Sequence, residues 1–288
     1  MRFWHGMGYT PLDELERLAR HAEALGFHGM TLGDHWVTAD QQVDRYEIAA
    51  DGERPWESDV PWPDPWVQFA ALASATTTLQ FMTTVYILPL RDVFTAAKAV
   101  STAAVVTRGR VHLGVGVGWQ SLEFSLSGQP FHRRGRHIDE QLEVLAKLWT
   151  GKMVEHTGAF YRFPRVRMLP RPPSPIPVYV GGTSPAAFRR AARFDGWEGA
   201  VYPWGEIEGY VKAAKQARLD AAGDLEGFRV IVGCTEPTPD RIRRLADWGV
   251  TDYLKPPWTD GLQATQLPLD DKLQEMSEFT ERYFPVGR

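Results

Sequence analysis

The chain has a single cysteine, Cys234, in 288 residues, which excludes an intrachain disulfide and any zinc site built on several thiolates. No apolar run approaches the ~20 residues that cross a bilayer, and Met1 and Arg2 lead directly into a strand pattern with none of the anatomy of a signal peptide. A soluble, cytoplasmic protein without a membrane partner is expected. Excess charge of either sign is also lacking. The net charge is -4, and basic residues are dispersed apart from Arg133, Arg134 and Arg136, so no nucleic-acid surface is indicated. His132 and His137 are spaced by five rather than the i, i+4 of helical zinc ligands, and no metal site is read. Cys234 sits within Val230-Ile231-Val232-Gly233-Cys234, a run that reads as buried strand.

What the chain does have is a rhythm. Short β-branched runs at 3–7, 30–32, 79–88, 111–115, 178–180, 199–202, 228–232 and 252–255 alternate with amphipathic helical patterns. Thr10-Pro11, Asp64-Pro65, Ser184-Pro185 and Thr238-Pro239 each pair a capping oxygen with proline at the first helical position. Eight such units predict a (β/α)8 TIM barrel formed as one domain over residues 1–288. An open doubly wound sheet is the alternative that shares this alternation. Two stretches break the rhythm: an insertion at 39–63 after the second strand, and a proline-rich segment at 151–177 before the fifth. In a barrel the first lies on the functional face, because active sites form on the loops that follow the strands.

Those loops supply the candidates. Gly33-Asp34-His35-Trp36 follows the second strand; a histidine beside a carboxylate there serves as general acid or base, or the pair merely caps the loop. Gly114, Gly116 and Gly118 alternate at the end of the fourth strand but lack the third glycine of a dinucleotide fingerprint. They either admit a planar ligand or neighbouring backbone, or reflect tight packing. Tyr179-Val180-Gly181-Gly182-Thr183-Ser184-Pro185 ends a strand in two glycines and opens a capped helix, a turn suited to phosphate. There are eleven tryptophans, and Trp36, Trp56, Trp62, Trp66 and Trp119 cluster after predicted strands, either as core or as walls for a flat ligand.

Residues 79–119, with Val85-Tyr86-Ile87-Leu88-Pro89-Leu90-Arg91 and Arg110-Val111-His112-Leu113-Gly114-Val115-Gly116-Val117-Gly118-Trp119, together with Arg134-Gly135-Arg136, Leu148-Trp149-Thr150-Gly151 and the Gly181–Pro185 turn, resemble the bacterial luciferase-like monooxygenase superfamily. The stretch at 45–65 is similar to the branch dependent on the deazaflavin coenzyme F420. The likeness spans essentially the whole chain. It implies a cofactor at the strand C-terminal face, with its phosphate at Gly181, Gly182, Thr183 and Ser184 and its ring near Gly116. It also implies a cis peptide at Thr84-Val85 behind the ring, with Asp34 and His35 near ring and substrate. Trp36 and Trp119 are expected to shape the substrate pocket; Trp119 stands where the sugar-phosphate dehydrogenases of the family carry a glutamate. The function so implied is F420-dependent hydride transfer with a small organic substrate; Arg133, Arg134 and Arg136 either receive the acidic tail of the coenzyme or form a solvated helix entrance. The alternatives are an FMN-dependent monooxygenase fed by a separate reductase, and a non-catalytic flavin-binding protein. A homodimer is expected from the family.

Overall fold

A computed structural model describes residues 1–49, 51–260, 263–264 and 267–287. In chain order the elements are β1 (Arg2–Gly6), α1 (Leu15–Leu25), β2 (Gly29–Leu32), α2 (Pro65–Ala75), β3 (Gln80–Thr83), β4 (Tyr86–Ile87), α3 (Val93–Val106), β5 (Val111–Gly116), α4 (Ser121–Ser127), α5 (Arg134–Leu148), β6 (Val154–Thr157) and β7 (Arg162–Val166). There follow β8 (Val178–Gly181), α6 (Pro185–Ala191), β9 (Gly196–Tyr202), α7 (Trp204–Ala222), β10 (Arg229–Cys234), α8 (Pro239–Trp248), β11 (Asp252–Lys255), β12 (Thr259–Asp260), β13 (Gln263–Ala264) and α9 (Leu269–Gly287).

Nine strands pair in the order β3-β2-β1-β11-β10-β9-β8-β5-β4, and a β3–β5 pairing closes the ring. β3 and β4 are two halves of one barrel strand, interrupted at Thr84 and Val85, whose connecting peptide bond is cis. Both halves pair in parallel with β5. The barrel therefore has eight strand positions, and closure rules out the open sheet. The interior is filled by Trp4, Met82, Tyr179, Ile231 and Leu254, one residue from each of five strands, as the alternation of side chains across a strand requires. A second apolar layer packs strands against the helix ring. It takes in Leu15, Leu18, Phe69, Val100, Leu142 and Cys234, and Cys234 is fully buried. Among the described residues no helix is long and apolar enough to cross a membrane.

Three of the four proline-capped starts form as read. Asp64 accepts from the N–H groups of Trp66 and Val67, Ser184 from Ala187 and Thr238 from Arg241. Thr10 does not cap. α1 begins five residues later, at Leu15, and the Thr10 hydroxyl instead accepts from Trp258 Nε1 at 2.7 Å. The fourth cap is lost because its oxygen is spent on a buried indole. The proline-rich segment contains the β6–β7 hairpin, whose turn is gripped by Glu140 of α5 through the N–H groups of Ala159, Phe160 and Tyr161.

Candidate active site

The C-terminal ends of the strands surround a cavity of about 360 Å³. β1 contributes Gly6, the loop after β2 contributes Asp34 and His35, and the broken third strand contributes Thr84 and Val85. Gly116 and Trp119 follow from β5, Gly181 to Thr183 from β8, Glu198 to Tyr202 from β9, and Lys255 from β11. The 39–63 insertion folds over this end, placing Tyr46, Trp56 and Trp62 in the wall. None of the residues at 151–177 lines the cavity.

His35 is held at one nitrogen. Its Nδ1 lies 3.2 Å from Glu123 Oε2 and 2.9 Å from the side-chain amide of Gln120. Glu123 is fully buried, and it also accepts the backbone N–H of Trp36 at 2.6 Å. With Nδ1 engaged, Nε2 is the nitrogen left to serve the cavity. Aromatic rings box the imidazole: Trp62 at 4.9 Å, Trp56 at 5.3 Å and Trp119 at 6.0 Å between centroids. Tyr9 and Tyr46 pack on Trp56 behind them, and burial raises both tyrosine hydroxyls above the ordinary phenol value. This is a carboxylate–imidazole pair whose partner fixes the ring and leaves its distal nitrogen for proton traffic.

Asp34 plays a different part from the expected one. Its two oxygens are taken by Arg91 in a bidentate pair, at 2.5 and 2.7 Å, and by the N–H of Ile87 at 2.9 Å. Burial works against both charges: it raises the Asp34 pKa against the pull of Arg91, while Asp34 and Tyr86 hold the Arg91 pKa above its ordinary value, and the short bidentate geometry is that of an ion pair. The guanidinium lies 4.2 Å over the Tyr86 ring. Asp34 thus anchors the loop to the third strand, and Glu123, not Asp34, orients His35. Sequence reasoning missed Glu123 and Gln120. Their one signal was an acidic side chain in the first turn of a helix that directly follows a barrel strand, a position that also reads as ordinary capping.

The glycines divide into two uses. A Cβ on Gly116 or Gly181 would collide with the Val85 side chain, and one on Gly114 with the Glu198 carboxyl. The alternating glycines of β5 therefore make room for neighbouring side chains, and Val85, so seated, forms a smooth patch of cavity wall. Gly182 has φ of +102°, a conformation for which L side chains pay. Trp197 Nε1 donates to the Gly182 carbonyl at 2.9 Å. No acceptor among the described residues takes the N–H groups of Gly182 or Thr183, and that pair of unspent donors suits a phosphate. Ser184 is outside the cavity lining, because its hydroxyl caps α6.

Trp36 also departs from expectation. It is 43% exposed and outside the cavity lining, with the Arg91 guanidinium 5.3 Å over its ring. None of the three clustered arginines lines the cavity. Arg134 is spent on the carbonyls of Gly118 and Phe131, Arg133 stacks on Phe160 at 4.5 Å, and Arg136 lines a separate surface groove with Asp139, Glu140 and Glu143. Lys255 lines the main cavity with its ammonium 3.0 Å from Glu275; burial lowers its pKa against the pull of that carboxylate. Among the described residues there is no cluster of histidine, cysteine and carboxylate side chains fit to hold a metal.

A closed (β/α)8 barrel with an aromatic-walled cavity and a carboxylate-held histidine at its strand ends defines the class: a barrel of the kind that does its chemistry on the βα loops. Residues 2–255 match the family described as luciferase-like monooxygenase, and the chain belongs to that family. It is 35% identical over 285 residues to an uncharacterized protein of Mycobacterium tuberculosis, covering 98% of both chains. It is 29% identical over 168 residues to the F420-dependent hydroxymycolic acid dehydrogenase of the same organism, covering 57% of this chain and 47% of that one. In structure it resembles the monooxygenase RslO1 from Streptomyces bottropensis, with a TM-score of 0.76 at 19% identity over 99% of each chain, a likeness of fold.

Proposed function

We propose that this chain is an F420-dependent oxidoreductase that moves a hydride between the deazaflavin and a small, uncharged organic substrate, with His35 handling the accompanying proton. The observation that carries the reading is the His35–Glu123 pair facing an aromatic box beside a turn with two unspent N–H donors. The likeness to an F420-dependent dehydrogenase supports deazaflavin over FMN. The residues present fit such a group: the Gly181–Thr183 turn would hold its phosphate, and Val85, set flush by Gly116 and Gly181, would support its ring. When bound, the deazaflavin supplies the two-electron acceptor or donor.

The remaining work falls to the chain's own side chains. Oxidation of an alcohol to a carbonyl releases a hydride and a hydroxyl proton, and His35 Nε2 receives the proton while Glu123 stabilises the imidazolium from Nδ1. In the reverse direction the same nitrogen returns it. Trp56, Trp62 and Trp119 exclude water and select for apolar, flat substrates. Among the described residues the cavity lining holds no lysine or arginine other than Lys255, whose ammonium is already paired with Glu275, which disfavours a substrate phosphate. The protein is expected to be cytoplasmic and a homodimer, and its partner is a small molecule rather than nucleic acid or membrane.

Fluorescence titration tests the cofactor assignment. Coenzyme F420 is expected to bind at least about tenfold more tightly than FMN, a difference of ~1.4 kcal/mol. Preferential binding of FMN would move the chain to the oxygen-using branch, with reduced flavin supplied by a separate reductase.

A further inference from the structure

Glu198 belongs to the cavity region, and the proposed chemistry leaves it unused. It sits in β9 with 2% of its surface exposed, and neither carboxyl oxygen has a hydrogen-bond partner or contact with solvent. Among the described residues no arginine, lysine or histidine pairs with it, and burial alone drives its pKa well above the carboxylate range. A charge so placed is untenable unless neutralised.

What lies beside it gives the proton a use. A Cβ added to Gly114 would overlap both Glu198 Oε2 and the Thr83 carbonyl oxygen, so these two oxygens share the small space that Gly114 leaves open. A carboxylate could only accept there, whereas a protonated Glu198 could donate to the Thr83 carbonyl. Thr83 is also where the third barrel strand stops: pairing with β5 ends at Met82–His112 and resumes at Tyr86–Val115. Within that gap the Thr83 hydroxyl already replaces one ladder bond, donating to the Gly114 carbonyl at 2.7 Å. The register between β9 and β10 also slips by one residue just beyond Glu198, which lets β9 turn this side chain across the barrel.

We propose that Glu198 is a neutral carboxylic acid whose O–H donates to the Thr83 carbonyl, a stitch that bridges the break in the third strand and positions Thr84 and Val85 as cavity wall. It is a positioning residue: its oxygens are shielded from the cavity, and it acts through the segment that Thr83 leads into. The effect on cofactor affinity rests on the deazaflavin reading. The protonation state does not.

Infrared spectroscopy of the unliganded protein at neutral pH reads the first half directly. A carbonyl stretch of a protonated carboxylic acid is expected, shifted in heavy water and missing from the Glu198→Gln variant. Its absence from the wild-type spectrum would overturn the proposal, whatever the protein binds. The second half is read by F420 titration. Glu198→Gln keeps a donor for Thr83 and is expected to stay within about threefold of wild-type affinity, whereas Glu198→Met removes the donor and is expected to weaken binding at least about tenfold. Wild-type affinity in a folded Glu198→Met protein would refute the positioning role. If wild type itself fails to bind F420, the cofactor reading falls, while the infrared band still decides the state of Glu198. If Glu198→Met does not fold, Glu198→Gln carries the affinity comparison: a tenfold loss there, with the donor retained, contradicts the stitch.

Discussion

The two ends of this barrel are built from the same residue types and do opposite things with them. At the N-terminal ends of the strands Asp252 is fully buried and takes donors from Arg2 at 2.5 Å, Trp4 at 2.9 Å, Arg229 at 2.8 Å and Thr251 at 2.6 Å. Burial opposes its charge, but Arg2, Arg229 and Thr251 together hold its pKa below the ordinary value. The two histidines beside it, His28 and His112, have no carboxylate of their own. Burial lowers them to about 4 and about 3, reinforced by Arg2 and, for His112, first by His28, against the pull of Asp252, and His112 is occupied by Tyr179 and Gln80. At the other end an aspartate again takes an arginine, but the histidine next to it is paired with Glu123 and has a cavity in front. A histidine facing two guanidinium groups is a neutral packing unit. One held by a carboxylate, with a nitrogen left over, is equipped to carry protons.

Exchanging the critical group at each end should separate activity from stability. The largest effect is expected for His35→Gln, which removes the proton carrier. With F420 and a panel of small alcohols, kcat/KM should fall about 10²- to 10⁴-fold, while the melting temperature and F420 affinity change little. An equal loss of stability would mean that His35 is packing, like its counterparts below.

Asp252→Asn is expected to do the converse. Removing one partner of a buried ionic cluster strands Arg2 and Arg229 and should cost about 3–5 kcal/mol of stability, measured by urea denaturation, with activity per folded molecule retained. The smallest effect is on pH dependence. In the unfolded chain His28 and His112 titrate near ~6.5, whereas the folded barrel holds them lower. Between those values the unfolded state binds more protons, so their contribution to stability declines as pH falls from about 6.5 towards 4 and 3, and recovers as pH rises. His28→Gln with His112→Gln should flatten that part of the stability curve, and an unchanged slope would place the loss elsewhere.

The alternation of strand and helix was legible because each barrel strand and each helix carries its own periodicity, and β11 at Asp252–Lys255 falls where the pattern puts it. The broken third strand reads as a single run, since β-branched and apolar residues continue through Thr84 and Val85. At the site, His35, Trp119 and the Gly181–Thr183 turn could be found because each follows directly on a strand. Glu123 lies 88 residues from His35, and only closure of the ring brings it near; a lone acid in a helix's first turn looks like capping until its partner is known. Asp34 misled for the same reason. Its neighbour in sequence is His35, but its partner in space is Arg91, 57 residues away. The glycines of β5 were conspicuous, yet what fills the space beside them, Val85 and Glu198, comes from other strands and is not a local property.

On the proposed function, cofactor binding is confined to the C-terminal ends of the strands. Hydrogen–deuterium exchange with and without saturating F420 tests it most directly. Protection is expected at residues 181–183, at 84–87, at 116–120 and across the 39–63 insertion, with the segments carrying Arg2, His28, His112 and Asp252 unaffected. No protection at 181–183, or protection confined to the lower end, would contradict it.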